Sequence, residues 1–173
     1  MICLIEGCDK TGKTTMAREF ERRGYVYRHF SAPKGSPWQE YSQFLAGGDL
    51  ATVLKRGGRV VLDRFHLGEP VYAKLYGRKS DLSAKRVKAL DARLLRLGTV
   101  LVHATGPFQM VLNRLDEKTD PDGAQARRAL DLFKKACAAS RLPGFTYKIE
   151  EGDMRRCVDM VVRYHDALEE ARR

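Results

Sequence analysis

Ten residues near the start, EGCDKTGKTT, constrain what this chain can fold into more than any other stretch. Gly7, Gly12, Lys13 and Thr14 satisfy the pattern G-x-x-x-x-G-K-[ST], which belongs between a buried strand and the first turn of a helix. Glycines are needed because backbone N–H groups must crowd around phosphate oxygens without side-chain interference. The loop Gly7, Cys8, Asp9, Lys10, Thr11, Gly12, Lys13, Thr14 and Thr15 would then surround nucleotide phosphates. Lys13 would reach the β- and γ-phosphates, and the Thr14 hydroxyl would ligate Mg²⁺. The flanks agree with the motif: the apolar run MICLI precedes it, and KTTMAREFERRG follows as a helix expected to stop at Gly24. A plain glycine turn is the competing account, and it does not require this context.

Further along, RVVLD and TVLVHA are short β-branched apolar runs of the kind buried in parallel sheets, and YVYRHF and TYKIE are weaker versions. Helical stripes separate them. Val87, Leu90, Leu94 and Leu97 form one, Ala126, Ala129, Leu130 and Phe133 a second, and Met154, Val158, Val161, His165 and Leu168 a third. Alternating strands and helices predict an α/β fold: one domain over residues 1–173, with a five-stranded parallel sheet covered by helices on both faces. The polar segment DEKTDPDG suits a flap, within a lid at about residues 114–128. No apolar run approaches about 18 residues, so no membrane span is expected. Four cysteines without a CxxC pair read as reduced thiols of a cytoplasmic protein, with Cys3 and Cys157 as small core residues.

The chain carries a net charge of +10, and residues 78–96 hold seven basic side chains against Asp81 and Asp91. That balance favours a polyanionic partner, a nucleotide or nucleic acid, or else a solvated helix face. A second acid is expected at the end of another strand, where it can hold the metal through water, and Asp63 in VVLDRF occupies that place. Arg64 follows it into the cleft at the carboxyl end of the sheet.

LIEGCDKTGKTT and LDRFHLGEPVYA together resemble the thymidylate kinases, within the P-loop nucleoside and nucleotide kinases, and the nearest likeness is to small phage-type deoxynucleotide kinases with HLGE-like segments. The resemblance implies ATP and Mg²⁺ as donor and metal. It implies that Asp9 approaches the acceptor's sugar and that Arg64 grips the acceptor's phosphate. HFSAPKGSPWQEYSQFL is similar to the family's phosphate-binding segment, with Lys34 near its arginine. ARRALDLFKK is similar to the helix after the lid, and DMRRCVDMVVRYHDAL to the terminal helix. The chain departs from the family in three places. Residues 47–58 are short and lack the Phe-and-Arg pair that stacks on thymine. The lid keeps Arg114 without a second arginine in its first turn, leaving Arg127 or Arg128 to swing in. HLGE places His66 and Glu69 where the family is less polar. In the family, a basic residue inside the loop, here Lys10, accompanies a lid poor in catalytic arginines.

Phosphoryl transfer asks for alignment and for cations around the migrating group. Lys13, Lys10 and Mg²⁺ would neutralise the donor, Arg64 would place an acceptor phosphate, and Arg114 and Arg128 would close from the lid. Phe65, His66, Glu69 and Tyr72 are candidates to line the acceptor pocket. Tyr72 and Tyr76 share a helix face, which fits either the pocket or core packing. A hydroxyl acceptor would need a carboxylate base, Asp63 or Glu69. His29, His103 and His165 read as structural histidines, Trp38 as a helix-start packing residue, and the donor's adenine is expected near residues 152–154. The acceptor reads as a deoxynucleoside monophosphate, dTMP first. A nucleoside or a hydroxyl on DNA is the alternative, and a non-catalytic nucleotide-binding regulator is a third. The partners expected are a small-molecule nucleotide first, nucleic acid second, and a second copy of the chain in a homodimer.

Overall fold

The computed structural model describes residues 1–115 and 122–171. Five strands, β1 (Ile2–Glu6), β2 (Tyr25–His29), β3 (Arg59–Asp63), β4 (Thr99–Thr105) and β5 (Gly144–Lys148), form one parallel sheet in the order β2-β3-β1-β4-β5. Every residue of β1 is buried, as a central parallel strand with helices on both faces requires. The strand order reverses at β1, with β3 on one side and β4 on the other, so a crevice opens at its carboxyl end. The glycine-rich loop emerges at that end.

The helices divide between the two faces. Those named α1 (Lys13–Arg22), α4 (Gly68–Leu75), α7 (Gly123–Ala139) and α8 (Met154–Glu170) close one core around Met16, Phe20, Phe133 and Val161. On the other face, α2 (Pro37–Ala46), α3 (Gly48–Lys55) and α5 (Ala84–Arg96) close a second around Leu62, Phe65, Leu90 and Leu94. The short α6 (Phe108–Leu112) follows β4. Helix starts follow side-chain capping: Ser36, Ser83, Asp122 and Asp153 each accept a hydrogen bond from the backbone N–H three residues on. The three apolar stripes fall on α5, α7 and α8, and α1 gives way to a left-handed Gly24.

The last strand lies two residues earlier than TYKIE suggests. Ile149–Glu151 is a 3₁₀ turn, with Ile149 turned inward so that a Cβ on Gly106 would meet its Cγ1 at 2.2 Å. β5 is an edge strand with only Tyr147 buried, which is why its apolar signal is weak. Among the described residues no helix is long and apolar enough to cross a membrane. Cys3 and Cys157 are core residues, and all four thiols are free.

His165 is buried on α8, with Nδ1 2.8 Å from the Tyr25 hydroxyl. Burial, then the nearby N-terminal ammonium and Arg59, push its pKa down from 6.5 to about 4. The ring is therefore neutral in the folded protein and protonates more readily in the unfolded chain. The stability this provides is full above pH 6.5 and is lost as pH falls toward 4, by up to about 3 kcal/mol. Denaturant unfolding of wild type and His165→Phe at pH 7 and pH 4.5 tests this. The variant's loss of stability across that interval is expected to be smaller by about 2 kcal/mol, and equal losses would assign the acid sensitivity elsewhere.

Candidate active site

The loop geometry explains its glycines. A Cβ on Gly7 (φ +155°) would sit 2.0 Å from the Ala104 carbonyl oxygen, and Gly12 (φ +81°) caps α1 in the left-handed region. Lys10 adopts φ 64° without being glycine, a conformation of the kind concentrated in functional loops. Thr11 Oγ1 donates to the Cys8 carbonyl at 2.8 Å, holding the loop closed. The Cys8 thiol is buried, and that burial pushes its pKa up to about 11, so it is a packing group.

Lys13 is the first residue of α1 and is 4 % exposed. Its ammonium donates to the Cys8 carbonyl at 2.5 Å and lies 3.7 Å from Asp9 Oδ1. Burial lowers its pKa, partly opposed by Asp9. The cation is folded back into the cradle, where a phosphate would exchange it from a carbonyl to a full anion.

Thr14, the second helical residue, donates to Asp63 Oδ2 at 2.7 Å. The same oxygen accepts from the Tyr27 hydroxyl at 3.2 Å and pairs with His29 Nδ1 at 3.1 Å. Asp63 Oδ1 is buried and has no hydrogen-bond partner. A hydroxyl beside a carboxylate with one orphaned oxygen fits Mg²⁺, a hard cation that binds few protein oxygens and completes its shell with phosphate and water. Among the described residues no group of three or more His, Cys, Asp or Glu gathers as an ion cage, so the protein's share of such a site is Thr14 and Asp63.

Arg64 stands directly after β3 at φ 68°, a left-handed backbone that costs a non-glycine residue about 1–2 kcal/mol. Its Nη2 donates to Asp9 Oδ1 at 2.6 Å, while Nε is buried without a partner. Burial works against the charge, yet Asp9, Tyr72, Asp63 and Glu6 together outweigh it and the guanidinium pKa is raised. The turn after Arg64 is held by Glu6 at the end of β1. Its Oε1 accepts from the backbone N–H of Phe65, Leu67 and Gly68 at 3.0, 3.1 and 3.3 Å.

Two adjoining cavities meet at the Asp9–Arg64 pair. One is the phosphate cradle, lined by Asp9, Lys10, Gly12, Lys13, Thr14 and Arg64. The other lies between α2 and α4, walled by Phe30, Pro33, Tyr41, Phe65, Tyr72 and Tyr76, and Asp9, Arg64, Glu69 and Arg78 also line it. Phe65 packs edge-on to Phe30 at 4.8 Å between ring centres, and Tyr72 stacks on Tyr76 at 6.0 Å with an interplanar angle of 8°. Both tyrosines therefore border the cavity, and Tyr72 also meets Phe133 of the core. A third hollow beside the loop is lined by Thr15, Glu19, Gly152, Asp153 and Met154.

Several expected residues stand elsewhere. His66 is fully buried, with Nε2 2.8 Å from Asp91 Oδ1, so it does not line the aromatic-walled cavity; the turn from Arg64 aims its ring at α5. Glu69 is in the cavity wall, but both its oxygens take a fork from Arg78, at 2.6 and 2.7 Å, which removes it as a free base. Lys34 is exposed on the loop just past Pro33, outside the cavity wall. Arg114 Nη1 donates to the Lys10 carbonyl at 3.3 Å, whereas Arg128 is exposed on α7 and Arg127 stacks over Phe108 at 4.0 Å. Residues 116–121 of the expected lid lie outside the described residues.

Other site residues escape sequence reasoning. Tyr27 and His29 reach Asp63 only because β2 and β3 pair in register, His29 opposite Asp63. Arg78 counts in the sequence only as one charge among many. The rest of that basic stretch is partly engaged: Arg86 pairs with Asp81 and stacks on Trp38, and Arg93 donates to the Ser42 carbonyl.

No protein-family model matches the chain, and no curated protein matches it in sequence. Among solved structures it is similar to the YorR protein of Bacillus subtilis in complex with phosphorylated GDP. The TM-score is 0.78 at 17% identity, over 99% of this chain and 98% of that one. It is also similar to a deoxyadenosine kinase from M. mycoides with dCMP and dCDP bound, at TM-score 0.58 and 14% identity, over 97% of this chain and 100% of that one. At such identities the likeness is one of fold: a five-stranded parallel sheet flanked by helices.

Proposed function

We propose that this chain transfers the γ-phosphoryl group of ATP to a deoxynucleoside monophosphate, with dTMP as the leading acceptor. One observation carries this reading: the phosphate cradle and the aromatic-walled cavity share Asp9 and Arg64, so a donor phosphate and an acceptor phosphate would meet at one arginine. Nucleotides bound in the two structural neighbours are consistent with it. The choice of dTMP rests on the resemblance of the loop and the DRF segment to thymidylate kinases.

Lys13 exchanges its bond to the Cys8 carbonyl for the donor's β- and γ-phosphate oxygens. Thr14 and Asp63 would hold Mg²⁺, which supplies neutralising charge to those phosphates. Arg64 releases Asp9 to take the acceptor phosphate in its fork, and Asp9 becomes free to accept from a sugar hydroxyl. The acceptor monophosphate is already ionised at pH 7, so no general base is required, and catalysis is alignment and charge stabilisation. The base would lie against the rings of Phe30, Phe65 and Tyr72, with the Glu69–Arg78 pair at its edge offering polar discrimination. Lys10 and Arg114, joined through the Lys10 carbonyl, bring positive charge to the donor side. Arg128 remains a lid residue that would have to swing inward.

The reading for a hydroxyl acceptor, a nucleoside or an end on DNA, draws on the exposed Lys79, Lys85, Lys88 and Arg96. With Glu69 engaged by Arg78, Asp63 would be the base, through its unpartnered Oδ1. Labelled ATP offered with a panel of dNMPs, nucleosides and short DNAs decides between these readings. Transfer to dTMP or another dNMP is expected. Transfer to oligonucleotide alone, falling steeply with salt, would replace the proposal with the nucleic-acid reading. Tight ATP binding with no product would leave a nucleotide-binding regulator.

A further inference from the structure

The turn that carries Arg64 is pinned from two sides. From β1, the Glu6 carboxylate gathers the N–H groups of Phe65, Leu67 and Gly68, passing over His66. From the opposite side, the His66 side chain reaches Asp91 on α5 at 2.8 Å. Asp91 is anchored in turn: Oδ1 accepts from Ser140 Oγ at 3.0 Å, and Oδ2 accepts from the Arg141 backbone N–H at 3.1 Å. His66 is fully buried and Asp91 nearly so. Burial alone would raise the Asp91 pKa, but the hydrogen bonds from His66, Arg141 and Ser140 hold it below the usual range. An ionised Asp91 only accepts, so His66 Nε2 carries the hydrogen between them.

Such a network is costly to bury unless its polar atoms are satisfied: both Asp91 oxygens are, by groups from residue 66 and from residues 140–141, while His66 Nδ1 is buried without a partner. It sits one residue from Phe65, a wall of the acceptor cavity, and two from Arg64, whose left-handed backbone persists only if its surroundings dictate it. We propose that His66 and Asp91 are positioning residues for Arg64: the buried pair holds the turn so that the guanidinium stays at the junction of the two cavities. Neither side chain touches substrate. Their effect on turnover rests on the phosphoryl-transfer reading above, whereas their effect on the placement of Arg64 does not.

Three variants and two readouts test this. His66→Phe fills the volume without a donor, His66→Gln restores an N–H toward Asp91, and Asp91→Asn removes the charge. The first readout is steady-state kinetics with dTMP. His66→Phe is expected to raise the acceptor KM at least about tenfold, with kcat and ATP affinity within about twofold, and His66→Gln to recover most of the loss. A merely structural histidine would instead lower the active fraction, depressing kcat at unchanged KM, and that result would overturn the proposal. The second readout needs no acceptor: the NMR cross-peak of the Arg64 Nε–H, assigned by its loss in Arg64→Lys. It is expected to move in His66→Phe and Asp91→Asn and to return in His66→Gln. An unmoved cross-peak in Asp91→Asn would also overturn the proposal, and that measurement stands even if His66→Phe does not fold. If the wild-type protein phosphorylates no acceptor, the functional reading fails while the cross-peak still decides the positioning claim.

Discussion

Lys13→Ala is expected to abolish phosphoryl transfer, lowering kcat by at least about 10³-fold, while the protein stays folded. Lys13 is the one buried cation inside the loop, its ammonium 2.5 Å from a carbonyl that a phosphate would replace. Charge stabilisation of a migrating phosphoryl group in a water-poor cradle is the largest single contribution the loop can make, and no neighbouring group duplicates it. Lys10 carries its charge on an exposed turn, and Arg64 is engaged by Asp9. Burial already disfavours the lysine's charge, so its removal relieves a desolvation cost as well as deleting two contacts. The melting temperature is therefore expected to stay within about 2–4 °C of wild type, the span of roughly 1 kcal/mol for a chain of this length. Transfer within tenfold of wild type would show that the cradle does not bind the donor as described. A larger collapse of melting temperature would trace the loss to folding.

Arg64→Ala is expected to reduce kcat/KM for the acceptor by about 10²-fold or more, as the loss of two charge-assisted hydrogen bonds implies. ATP affinity should remain within about threefold, because Arg64 reaches the cradle only at the edge it shares with the second cavity. The substitution also frees Asp9 from its 2.6 Å partner and leaves Lys13, at 3.7 Å, as the cation beside that carboxylate. Alanine keeps the same left-handed strain as arginine, so backbone change is a small part of the effect. Arg64→Lys should recover little, since a point charge cannot reproduce a planar fork. Calorimetric titration with ATP and kinetics with dTMP separate the two ligands. If ATP binding weakened as much as acceptor use, Arg64 would belong to the donor side.

Much of this was legible in the residues because it is local. A loop whose glycines, lysine and threonine stand at set spacing between an apolar run and a helix names its own geometry, and Gly7, Gly12, Lys13 and Thr14 are where that pattern puts them. The stripes of α5, α7 and α8 are periodicities within one element, and each sits on a core face. Where signals are short the reading slipped. TYKIE contains too little apolar patterning to separate an edge strand from the 3₁₀ turn after it, and the buried Ile149 belongs to the turn. His66 misled because a polar residue inside a substrate motif reads as a contact, while its direction depends on the left-handed backbone two residues earlier. His29 read as structural, yet it pairs with the acid proposed for the metal.

The amino-acid sequence by itself determined the cradle, the alternation of strands and helices, and the candidates Asp9, Asp63 and Arg64, because each is encoded within a dozen neighbouring residues. Only the tertiary structure decided what those groups face. The order β2-β3-β1-β4-β5 sets Tyr27 and His29 beside Asp63 and brings Asp9 to Arg64 across 55 residues. The turn that ends α4 returns Arg78 to Glu69, and α5, packed below the turn after β3, gives Asp91 to His66. Such pairings depend on distances through space that no spacing along the chain records. A residue's type fixes what it can bond, and its neighbours in the fold settle which bond it makes.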